Sequence, residues 1–424
     1  LAISGDFDRI NAFVDFKAVT ASGLAIWLQS RGNWLQNLDV TEMAFQGKLT
    51  AALDLPNDAG TLYAGSLTSS DLGANGAAML SNSDLSGFPV DIERTPPTTQ
   101  SPMSKRATAS NVTVSGVVTG KFYEADGLNV TVLGGHFGAT ATDGKAVNNL
   151  IFVNSSNSDA VTGIQSLGND SVILAMEVQK DVLFAGGVVT GTANGGNLNG
   201  LITYNLKNSV LPTQPPALVG ESVVVYEISS RESTGDVYVA GAFDRAGALS
   251  CPAVCVYSTT ANQWNRPGSI LDGTVYAMTW QTADSLLVGG QLSVGGNSTY
   301  MATYDAKTQE WKDFSGANGL PGPVVSLTAA NKDTTEFWVA GVAGNGSTFL
   351  MKYQNDEWKS VQDLGPDTTI RGLQVLTVTE DHEDSNIMPK NEVLILTGSI
   401  GIANLGNSAA ALYNGTSFQP YILT

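Results

Sequence analysis

One short pattern recurs eight times along the chain: apolar residues, one or two small residues ending in Gly, any residue, then usually an apolar one. It reads Leu1-Ala-Ile-Ser-Gly5-Asp-Phe7, Leu62-Tyr-Ala-Gly65-Ser-Leu67, Thr131-Val-Leu-Gly-Gly135-His-Phe137 and Leu183-Phe-Ala-Gly-Gly187-Val in the first half. The second half repeats it as Val237-Tyr-Val-Ala-Gly241-Ala-Phe243, Leu286-Leu-Val-Gly-Gly290-Gln-Leu292, Phe337-Trp-Val-Ala-Gly341-Val and Leu394-Ile-Leu-Thr-Gly398-Ser-Ile400. The intervals between these glycines are 60, 70, 52, 54, 49, 51 and 57 residues, too long for a solenoid.

A period near 50 residues is that of a kelch blade. Each glycine segment is followed by a loop and a second apolar run that often closes on Tyr, as in Val254-Cys-Val-Tyr257, Met301-Ala-Thr-Tyr304 and Leu350-Met-Lys-Tyr353. A large aromatic comes next, namely Trp34, Trp264, Trp311, Trp358 or Phe418, and another strand precedes several of the glycines, such as Thr274-Val-Tyr-Ala-Met-Thr279. Four strands per unit is the composition of a propeller blade. The expectation is an all-β, kelch-like β-propeller of four-stranded blades over 1–424, with seven or eight blades. Small residues would let neighbouring blades approach, glycine would tolerate the bulge or turn that follows it, and the aromatics would pack one sheet on the next. The first unit begins at its glycine strand and the last ends on its fourth strand.

Composition narrows the chemistry. With 39 acidic against 21 basic residues the net charge is −18, which repels phosphate backbones and anionic lipid heads, so nucleic acid is excluded as a partner. Two cysteines and two histidines as far apart in the sequence as His136 and His382 are not expected to furnish a tetrahedral metal set, and no cofactor or catalytic constellation is expected. His136 and His382 are read as structural or surface residues. Residues 393–413 carry no charge but include Ser399, Asn404, Asn407, Ser408 and three glycines, so they read as a buried strand pair and not a membrane span. The chain opens at Leu1 without start methionine or signal peptide, which reads as a start set by processing or excision.

Two insertions stand out. Residues 91–109 are rich in Pro and Thr and read as an exposed loop between the second and third units. Within it Lys105 and Arg106 form a dibasic pair, for which the plainer reading is a solvated pair and the alternative is cleavage by a secretory protease. Residues 379–384 place four carboxylates in six positions, read as a solvated acidic loop ahead of a hard-cation site.

Cys251-Pro-Ala-Val-Cys255 is the one cysteine constellation. Residues four apart in a strand are too distant for a bond, but Pro252 favours a turn that brings them within about 6 Å, so a local structural disulfide is favoured over free thiols. Asn111, Asn129, Asn154, Asn169, Asn297, Asn345 and Asn414 each open an Asn-x-Ser/Thr triplet and are N-glycosylation candidates. Together with the disulfide and the scarce charge they point to a secreted or cell-surface chain.

The run Val237–Phe243, then Cys251-Pro-Ala-Val-Cys-Val-Tyr257, Gln263-Trp264, 273–278, Leu287-Val-Gly-Gly290, Ala302-Thr-Tyr-Asp305 and Glu310-Trp311 resembles the kelch-like ectodomain of the fungal cortical marker proteins for cell polarity, the bud-site-selection membrane glycoproteins. The resemblance is strong over 220–362 and rests on the repeat pattern elsewhere. It implies an extracellular propeller, attached to the plasma membrane by a segment absent from this chain, that contacts other membrane polarity proteins or cell-wall components and has no catalytic residues. The alternative is a carbohydrate-binding or carbohydrate-active secreted propeller, for which exposed aromatics and paired carboxylates would have to converge.

Overall fold

A computed structural model of the chain describes residues 2–4, 9–10, 18–20, 24–28, 33–35, 46–55, 60–69, 74–81, 84–88, 90–94, 116–157, 159–268, 271–331, 335–378, 381–402 and 406–423. They are strands and their connections, with two short 3-10 turns at Ser155–Asn157 and Ala317–Gly319. The chain forms two compact units, one within 1–217 and one within 218–423.

In the second unit four antiparallel four-stranded meanders follow one another. They comprise Val224–Arg231, Asp236–Ala242, Val254–Ser258 and Gln263–Asn265; Leu271–Trp280, Ser285–Val294, Asn297–Asp305 and Glu310–Asp313; Val324–Ala329, Phe337–Val342, Thr348–Gln354 and Glu357–Ser360; and Thr369–Thr377, Glu392–Ile402, Gly406–Tyr413 and Phe418–Leu423. Their first strands neighbour one another in series. Two more complete meanders, 46–87 and 116–163, lie in the first unit. Six complete four-stranded blades are therefore present among the described residues. Among the described residues the first and fourth repeat units form three-stranded sheets, Ala2–Ser4, Leu24–Leu28 and Asn33–Trp34, with a separate pair Arg9–Ile10 and Val19–Thr20, and Val172–Gln179, Val182–Ala193 and Gly196–Asn205. The count expected from the repeat, seven or eight, thus becomes six complete blades and two shorter sheets.

A proline-rich segment explains the missing strand of the fourth unit. After Asn205 the chain runs through Leu211-Pro-Thr-Gln-Pro-Pro-Ala217, and proline has no N–H to give to a ladder. The side chain of Gln214 takes over instead. Its Oε1 accepts from Thr203 N at 2.8 Å and its Nε2 donates to Thr203 O at 2.9 Å, so one side-chain amide satisfies the backbone as a strand residue would.

The apolar runs at the second strands follow from sheets stacked on both sides. Alternate residues of a strand face opposite ways. Leu286 and Val288 join the core shared with the 224–265 blade, while Leu287 joins Val324, Phe337 and Val339 of the following one. Phe337 and Val339 face back, and Trp338 and Ala340 face forward to Leu394 and Leu396. All of these are buried, each large side chain contributing roughly 1.5–3 kcal/mol.

The repeat glycines have a specific steric cause. In each of these blades the first strand carries a bulge opposite the glycine, as between Val225 and Glu227, Val275 and Ala277, Val324 and Ser326, and Ile370 and Gly372. The bulge turns a backbone carbonyl into the space a side chain would need, so a methyl at Gly241 would overlap Val224 O and one at Gly290 would overlap Thr274 O. The preceding small residue answers to the next blade: a methyl at Gly289 would come within 2.8 Å of Val324.

Candidate functional site

His136 and three of the tryptophans singled out by the repeat are engaged in structural contacts. His136 is 1% exposed, and its Nδ1 lies 3.1 Å from Ser171 O. Beside it the buried Asn149 accepts from Phe137 N and donates to Asn169 O at 3.0 Å, so these polar groups hold the segment between two blades. The tryptophans are core residues. Trp311 pairs with Tyr304 at 4.9 Å between ring centroids and donates to Pro267 O, and Trp358 pairs with Tyr353 at 5.0 Å and donates to Gly316 O at 2.6 Å. Trp264 packs edge-on to Tyr257 at 5.1 Å. These three rings are thus committed to packing within their own blades. Among the described residues no group of three or more His, Cys, Asp or Glu side chains could hold a metal ion.

The most heavily braced loop leaves the glycine strand of the 224–265 blade. Cys251 and Cys255 are disulfide-bonded with Cα atoms 5.5 Å apart, both fully buried. Ala253 between them sits at φ 64°, the left-handed turn that brings residues four apart together. Cys251 N donates to Asp244 O at 3.1 Å, Ala253 N to Phe243 O at 3.0 Å and Gly241 N to Ala253 O at 2.9 Å. Short strands Leu218–Val219, Arg245–Ala246 and Leu249–Ser250 add a small sheet, so the chain entering the blade is tied to the loop. Asp244, Arg245, Ala248 and Ser250 are exposed on it. The same pairing recurs in other blades, where Gly344 N donates to Pro321 O and Gly365 N to Gly401 O. The acidic insertion is also ordered where described, from 381 onward. Lys352, 4% exposed, pairs with Glu336 at 3.0 Å and donates to Ile387 O at 3.0 Å, while Ile387 and Met388 are buried. His382 lies with both ring nitrogens against the carbonyls of Glu383 and Glu392, and Lys390 pairs with Asp381 at 2.6 Å. Asp381, Glu383 and Asp384 are exposed, as expected of a solvated acidic loop, while Ile387 and Met388 after them are docked.

The glycosylation candidates are dispersed. Asn169, Asn297 and Asn345 are exposed, while Asn129, Asn154 and Asn414 are half-buried. Asn111, Lys105 and Arg106 lie outside the described residues. Residues 393–413 form the strand pair expected of them, and among the described residues no helix is long and apolar enough to cross a membrane.

The model of the Rax2 C-terminal β-propeller domain matches residues 201–424, just over half the chain. The chain belongs to the Rax2 family. It is 39% identical over 436 residues to "Polarized growth protein L1" of Phoma sp., an alignment that takes in 100% of this chain and 33% of that protein. It is 24% identical over 337 residues to "Polarized growth protein RAX2" of Candida albicans, covering 73% of this chain and 23% of that one. The chain therefore spans a third or less of the length of these Rax2 relatives. A solved chain titled "Crystal Structure of Mitotic Checkpoint Complex" is similar at 11% identity and a TM-score of 0.39 over 86% of this chain and 87% of that one, too slight a likeness to carry an argument. The Rax2 match and the polarity names of both relatives bear out the resemblance read from the repeat and the Cys-Pro-x-x-Cys loop. The Cys251–Cys255 bond was legible from its spacing, whereas the pairing of Leu218–Val219 with the loop has no marker in the sequence.

Proposed function

We propose that this chain is a non-enzymatic, extracellular propeller region of a membrane-anchored polarity protein, and that it acts by binding. The observation that carries the reading is the buried Cys251–Cys255 bond bracing an exposed loop on a Rax2-family blade. Disulfides persist on the oxidising side of the membrane, and a loop held rigid costs little entropy when it docks. The exposed Asp244 and Arg245 of that loop give the contact its polarity. Its partners would be other membrane polarity proteins or cell-wall components. The anchor would come from a segment outside this chain.

The test is a pull-down from a detergent-solubilised fungal membrane fraction with the secreted chain, beside a variant carrying Asp244→Arg and Arg245→Glu. Recovery of membrane polarity proteins by the parent and at least tenfold less by the variant supports the reading. Equal recovery by both, or turnover of a glycan by the folded chain, refutes it.

A further inference from the structure

At one Asn-x-Ser/Thr triplet the fold provides a receptacle for what the triplet would carry. Asn154 ends the strand Ala146–Asn154, and Phe152 precedes it by two residues, so both side chains leave the same face. On the adjoining strand Ala160–Gly163, Thr162 is opposite Phe152 and Ala160 opposite Asn154. The next blade of the same unit supplies Tyr204, stacked on Phe152 with centroids 4.2 Å apart. With Leu206, Asn157 and Ser209 these residues surround a cavity of about 150 Å³ that has Asn154 in its wall.

The lining matches one face of a pyranose. Phe152, Tyr204 and Leu206 offer apolar surface, while Asn157, Thr162 and Ser209 offer hydroxyl and amide groups at its rim. Asn154 Oδ1 accepts from Ser156 N at 3.1 Å, an arrangement that leaves its Nδ2 without a hydrogen bond among the described residues. No other triplet has an aromatic two residues before its Asn: Ala109, Gly127, Leu167, Gly295, Ala343 and Leu412 hold that place.

We propose that Asn154 bears an N-linked glycan whose first N-acetylglucosamine packs into this cavity against the Phe152–Tyr204 pair, tying together the outer strands of two successive blades. In the transfer Nδ2 bonds to the anomeric carbon of a lipid-diphosphate oligosaccharide, the bond from that carbon to the diphosphate breaks, and Nδ2 gives up one proton as the lipid diphosphate leaves. This rests on the secretory-pathway reading above.

The experiment secretes the chain from a glycosylating fungal host, maps glycopeptides by mass spectrometry, and trims each glycan to one N-acetylglucosamine with an endoglycosidase. The Asn154 peptide should be occupied, and the trimmed protein should keep its full urea midpoint. Asn154→Gln should lower the folded-to-unfolded ratio about tenfold, as expected for roughly 50 Å² of apolar surface returned to water, while Asn297→Gln leaves it unchanged. In unglycosylated chain from an oxidising bacterial host, Asn154→Gln should have little effect, which separates the sugar from the amide. A bare Asn154 beside an occupied Asn169 or Asn297 overturns the proposal and leaves the secretory reading standing. All sites bare overturns both. An occupied Asn154 whose loss costs no more than that of Asn297 overturns the packing.

Discussion

Replacing Gly241 by Ala tests the cause assigned to the repeat. The added methyl would overlap Val224 O and stand 2.9 Å from Val225 Cα, backbone atoms of a bulge that a rotamer change cannot move. Either the 224–231 strand shifts outward from its neighbours, an overpacking cost of about 1–3 kcal/mol, or the pairing around Gly241 breaks, losing roughly two hydrogen bonds at about 1 kcal/mol each. Where both contribute, the loss is about 3–5 kcal/mol. Gly344→Ala is the control, since a methyl there meets nothing within 4 Å, and it should be neutral or stabilise by about 0.4–1 kcal/mol. Urea unfolding followed by tryptophan fluorescence gives both numbers from the midpoint at unchanged slope. A loss below about 1 kcal/mol for Gly241→Ala, or equal effects at the two positions, would refute the bulge argument.

Three further outcomes are expected. Gln214→Ala leaves the N–H and carbonyl of Thr203, a residue 3% exposed, without their partners, and should cost about 2–4 kcal/mol in the same urea assay, with Gln214→Glu recovering the acceptor half alone. Cys251→Ser with Cys255→Ser should cost about 2 kcal/mol from the loop entropy of a four-residue separation, and dithiothreitol should lower the melting temperature of the parent but not of the double variant. The Tyr123 phenol is pushed up to about 12, first by burial and then by its hydrogen bond to Asp181 at 2.6 Å. The neutral form is the one the fold holds, so this contribution is full below the ordinary value of 10.0 and is lost as pH rises from there toward 12. Urea midpoints measured between pH 9 and 12 should therefore fall, and less steeply in Tyr123→Phe.

The repeat was legible because its causes are local in sequence. A strand sandwiched between two sheets is apolar at consecutive positions, and a glycine opposite a bulged carbonyl tolerates no substitute, so the pattern recurs wherever the geometry does. The 393–413 strand pair was read correctly for the same reason. What escaped depended on distant partners. The bulge lies on the strand before the glycine, in residues with no shared motif. The fourth unit's missing strand turned on Gln214 reaching Thr203, which no spacing announces. The acidic run read as solvated, and Asp381, Glu383 and Asp384 are exposed; what the spacing did not announce is that Lys352 docks the segment after it, at Ile387 O. The disulfide was legible, but not the small sheet that Leu218–Val219 adds to its loop.

The proposed function has this Rax2-family propeller outside the cell at sites of polarised growth. An epitope inserted at the exposed turn 344–346 of the protein, expressed in its own cells, can be labelled with antibody on intact, unpermeabilised cells. The label should appear without permeabilisation and concentrate at growth sites. Label that appears only after permeabilisation, or that spreads evenly over the surface, would contradict it.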